Sequence, residues 1–96
     1  MTNLSYQNSL RAAEILASTI IETLPRYEGV VQGGNTSNAY RQFLLDLDRH
    51  YIDVCGKEGI ASIDLSAVDI FELIQEARKV TYDRILSSLN PHFRLS

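Results

Sequence analysis

Apolar residues recur at spacings of three and four along most of the chain, the signature of helices that each bury one face. From about Ser5 to Leu24, Tyr6, Leu10, Ala13, Ala17, Ile20 and Leu24 fall on one side, and Ile15, Leu16 and Ile21 widen it. Pro25 ends this helix, because the residue before a proline is pushed out of the helical region. A second helix is predicted from about Ser37 to Cys55, with Tyr40, Leu44, Leu47, Tyr51, Val54 and Cys55 as its stripe. Gly56 and Gly59 offer two alternative stops for it.

A third helix is predicted from about Leu65 to Leu89. Asp64 or Ser66 would cap its start, Asp69 would close a capping-box variant, and Asn90-Pro91 would end it. Between positions 65 and 74, seven of ten residues are apolar, a wider arc than one seam of a bundle requires. Either this helix is central and covered from both sides, or part of the arc meets another chain. The expected architecture is all-α: a small three-helix bundle forming a single domain over residues 1–96. Its first connection, residues 25–36 (PRYEGVVQGGNT), is longer than a simple turn needs, and long loops carry function more often than short ones.

Composition narrows the classes. Apolar residues make up 45% of the chain and charged residues 22%, ordinary globular usage. Nine Lys and Arg against twelve Asp and Glu give a net charge of −3, which counts against a generic nucleic-acid binder. The run from Ala12 to Ile21 contains Glu14 and is too short to span a membrane, so a cytoplasmic location is expected. The single cysteine, Cys55, can form no internal disulfide and reads as a small buried side chain.

Candidate chemistry is sparse. Asp46, His50 and Asp53 share one face of the second helix, but the paired Glu-x-x-His motifs of di-metal bundles are absent, and a solvated face is the better reading. Gly33-Gly34-Asn35-Thr36-Ser37-Asn38, with Arg41 in the next turn, resembles an anion-binding helix start, yet no Lys-Ser or Lys-Thr follows the glycines, and ordinary capping explains these residues. No nucleophile elbow accompanies the nine serines. Neither a catalytic residue, nor a metal, nor a cofactor is expected, and the chain is read as no enzyme.

The acids are more suggestive: nine of the twelve lie between positions 46 and 83, and Glu72, Glu76 and Asp83 are predicted to share an exposed ridge of the third helix. The chain is therefore expected to be a non-enzymatic interaction module, an inhibitor, adaptor or regulatory subunit that docks a larger protein and occludes it. Glu72, Glu76 and Asp83 would steer the encounter, while Tyr27, Val30 and Val31 of the long loop would hold the complex, with Arg41 close by. A homodimer is a second expected use of spare apolar surface. In size and helical type, though through no motif, the chain resembles small bacterial or phage proteins that silence a larger one, such as toxin-immunity proteins and anti-CRISPR inhibitors. The alternative is a helix-turn-helix-like nucleic-acid regulator with Arg78, Lys79 and Arg84 facing phosphates, weakened by the interleaved acids.

Overall fold

The amphipathic periods fold as helices, and the protein is all-α. The computed structural model describes residues 2–27, 34, 36–76 and 81–93, the side chains of residues 2–6, 76 and 91 excepted. Four α-helices follow one another: α1 (Thr2–Thr23), α2 (Asn38–Glu58), α3 (Ile70–Glu76) and α4 (Tyr82–Phe93). Short 3-10 turns lie at Leu24–Arg26, where Pro25 breaks the α-helical path, and at Leu65–Ala67. Among the described residues there is no strand, and no helix is long and apolar enough to cross a membrane.

Helix α1 is the centre of the molecule, packed along both α2 and α4. Ala12, Ala13, Ile15, Leu16, Ala17 and Ile20 are all buried, so its apolar arc is wide because it has two neighbours. Buried Thr19 satisfies its hydroxyl within its own helix, donating to the carbonyls of Leu16 (2.9 Å) and Ile15 (3.0 Å).

Helix α2 starts as the sequence predicts, with Ser37 as its cap: the Ser37 Oγ accepts from the Tyr40 N–H at 3.2 Å. Of the two candidate stops, Gly59 is the one used. It takes a left-handed conformation (φ 68°), and the Ile60 N–H reaches back to the Cys55 carbonyl at 2.9 Å, closing a Schellman motif. The buried stripe of α2 is Tyr40, Phe43, Leu47, Tyr51 and Cys55. Phe43, outside the expected stripe, is fully buried, while Leu44 and Val54 lie only partly covered at its edges.

The expected third helix over 65–89 is corrected. Val68 is extended (φ −122°, ψ 128°), so the 3-10 turn and α3 are separate pieces. Asp64 caps the turn through the Ser66 N–H (3.0 Å), and Asp69 caps α3 through the Glu72 N–H (3.1 Å). Thr81 stands outside the helices and opens α4: its carbonyl accepts from the Ile85 N–H (3.0 Å) and its Oγ from the Arg84 N–H (3.4 Å). The wide apolar arc explains the breaks. One straight helix cannot turn Leu65, Val68, Ile70 and Ile74 all inward against one neighbour, whereas re-aimed pieces bury all four. Helix α4 also runs past the expected stop at Asn90-Pro91 to Phe93, because Ile85, Leu89 and Phe93 at four-residue spacing form one buried face.

Candidate functional site

An exposed apolar strip on α2, opening into a groove, is the feature that packing leaves over. Leu45 and Ile52, two turns apart on α2 and outside its buried stripe, are 64% and 51% exposed. Leu45 sits at the mouth of an open groove of about 720 Å³ between α2 and the segment from Asp64 to Ile70. Tyr40, Leu44, Leu65 and Val68 supply apolar wall, and Asp48, Asp64 and Asp69 supply carboxylates. His92 of α4 also lines the groove, and a second cavity of about 290 Å³ shares Asp69 and His92 and adds Glu72, Leu73 and Ser88. No Lys or Arg is among the described residues lining either cavity.

The walls are held firmly. Tyr40 meets Phe71 edge-on at 5.3 Å between ring centroids, tying α2 to α3 beside the groove wall that Tyr40 supplies. Burial pushes the Tyr40 hydroxyl pKa up, partly offset by a hydrogen bond that its oxygen accepts from the Phe71 backbone. About three turns further along α2, the Tyr51 hydroxyl accepts from the Ile63 N–H at 3.2 Å and fixes the chain that leads into the groove segment. Burial drives its pKa up to about 12, so it stays a neutral structural group. Hydrogen bonds from Ser66 hold the Asp64 carboxyl below its usual range, so it is ionised at neutral pH.

The residues expected to form the site do not converge. Tyr27 is built into the fold: its hydroxyl donates to Asp46 at 3.0 Å and its ring packs edge-on against Phe43 at 6.0 Å. Val30 and Val31 lie outside the described residues, as do Arg78 and Lys79 of the nucleic-acid alternative. Arg41 is exposed in the first turns of α2. The single acidic ridge is corrected, because Glu72 belongs to the first turn of α3 and Asp83 to the first turn of α4. Glu76 is the last residue of α3, and its side chain is outside the description. Glu72 does border the second cavity, and so joins the acidic rim of the groove.

The other candidates are engaged elsewhere. Asp46 accepts from Tyr27, His50 faces Glu22 across the α1–α2 seam at 3.3 Å, and Asp53 pairs with Lys57 at 3.1 Å. No group of three or more His, Cys, Asp or Glu among the described residues is placed to hold a metal. Cys55 is buried in the core, and that burial raises its thiol pKa, which suits packing rather than nucleophilic attack. Sequence reasoning passed over Leu45 and Ile52, although a signal was present: two apolar residues seven apart on the polar side of an amphipathic helix.

No family model matches the chain, and neither curated proteins nor solved structures include one significantly similar to it. The functional reading therefore rests on the surface itself.

Proposed function

We propose that the chain is a non-enzymatic protein–protein interaction module of the cytoplasm, an inhibitor, adaptor or regulatory subunit that acts by docking a larger protein and covering part of it. The observation that carries this reading is exposed Leu45 lining an open groove with apolar walls, with Ile52 exposed two turns further along the same helix. Large apolar side chains left in water beside a preformed concavity are a feature of binding surfaces. Acids on neighbouring helices, Glu72 and Asp83, add a negative field that steers a basic partner and repels nucleic-acid phosphate. Holding contacts come from α2 and the groove segment rather than from Tyr27, whose ring and hydroxyl are already engaged.

The test is affinity capture from the source organism with nuclease-treated controls, followed by reconstitution with purified components. One protein recovered in stoichiometric amount that re-forms a one-to-one complex by sedimentation is the expected result. Recovery of nothing, or of nucleic acid alone, overturns the proposal.

A further inference from the structure

Resting on the docking reading, we infer that the groove between α2 and residues 64–70 receives a basic amphipathic helix from the partner protein: an apolar ridge against Leu44, Leu45 and Leu65, flanked by Lys or Arg against Asp48, Asp64 and Asp69. Charge complementarity identifies the occupant. Three carboxylates, Asp48, Asp64 and Asp69, rim the main groove, and none of the described residues lining it is a Lys or Arg. Asp48 has no hydrogen bond or ion pair with any described residue. An acidic peptide or a phosphate backbone meets repulsion along this rim, whereas a basic helix gains attraction at each carboxylate.

The form of the occupant follows from the fold. Among the described residues there is no strand and so no sheet edge for an extended segment to join, while a groove between helical segments with apolar walls matches the shape that helix-in-groove docking uses. A volume of about 720 Å³ seats several side chains of one helix face, not a whole domain. Exposed Ile52, two turns along α2 from Leu45, offers a docked helix a second apolar anchor outside the groove.

Selection of a random peptide library displayed against the purified full chain tests this directly, with amide chemical-shift mapping of the enriched binders. Enriched sequences are expected to carry Lys or Arg beside apolar residues at spacings of three and four. Shifts should cluster at Leu44, Leu45 and residues 64–70. Asp48→Lys and Leu45→Ser, both outside the buried core, should each weaken such a peptide by about tenfold or more while leaving the melting temperature in place. Enrichment of acidic or neutral peptides, no enrichment, shifts elsewhere, or unchanged affinity in both variants overturns the inference. So does a dimer of the free chain that dissociates in Leu45→Ser, since a second copy would then own the face. A groove that selects basic helices when no protein is captured from cells sinks the docking reading alone. A captured partner with a groove that selects nothing sinks only this one.

Discussion

Helices α1 and α2 are nearly equal in length, at 22 and 21 residues, and both repeat apolar residues at helical spacing, yet their surroundings differ. α1 lies between α2 and α4, and its Ala12, Ala13, Ile15, Leu16, Ala17 and Ile20 are buried. α2 buries one stripe and turns Leu45 and Ile52 outward. The number of neighbours, more than the pattern itself, decides how much of a helix is core. Where apolar residues outnumber the neighbours available to cover them, the surplus is open to another molecule.

The sharpest way to break that comparison is to truncate one leucine in each helix. Leu16→Ala removes a fully buried side chain from between two neighbours and is expected to cost about 2–5 kcal/mol in urea unfolding. Leu45→Ala, at 64% exposure, should stay within about 0.5 kcal/mol of the parent. Comparable losses at the two sites would mean that the outer face of α2 is covered, and the contrast would fail.

The same contrast shows what was legible in the sequence. Local signals were clear at Pro25 after α1 and at Ser37, whose side chain caps α2, whereas two glycines left the other end of α2 open and the helix runs past the expected Cys55 to Glu58. The all-α class followed from periodicity. The hub was not legible, because the stretches 12–21 and 65–74 each hold seven apolar residues in ten and either could be central. Only tertiary packing reveals that the chain breaks around the second, with Asp69 and Thr81 serving as caps of two helices rather than as interior residues of one. The groove was invisible for the same reason: its walls come from segments some twenty residues apart, and periodicity reports on one helix at a time.

Because α2 has fewer neighbours than α1, its own ends matter more, and its two terminal glycines should respond with opposite sign. A Cβ at Gly59 would touch nothing within 4 Å, so Gly59→Ala meets no steric clash with the surroundings. Its φ of +68° nonetheless strains any residue with a side chain, and a loss of about 1–2 kcal/mol is expected. Gly56 has equally open space but lies inside the helix, where alanine is favoured over glycine. Gly56→Ala should therefore stabilise by about 0.5–1 kcal/mol. Thermal unfolding of the two variants side by side checks both signs. A loss at Gly56 as well would show that the last turn of α2 is constrained by contacts rather than by backbone preference.

The smallest effect concerns the tie between the two helices. Arg11 of α1 grips Glu58 in the last turn of α2 with two hydrogen bonds, Nε to Oε1 at 2.8 Å and Nη2 to Oε2 at 2.7 Å. Those bonds hold the Glu58 carboxyl below its ordinary value of 4.5, although a helix C-terminus by itself disfavours a negative charge. A carboxyl whose folded pKa is depressed contributes stability that is fully present above its unfolded value and fades as pH falls through the folded one. The melting-temperature gap between the parent and Glu58→Gln should thus be widest near neutral pH and start to close below about pH 4.5. Both partners are solvent-exposed, so the gap should be small and should shrink further in high salt. Arg11→Gln should reproduce it, and the double variant should lose little more than either single one, since the two changes remove the same contact. A gap that widens in acid would mean that Glu58 acts there as an unfavourable charge at the helix end, with α1 and α2 held together by their apolar faces alone.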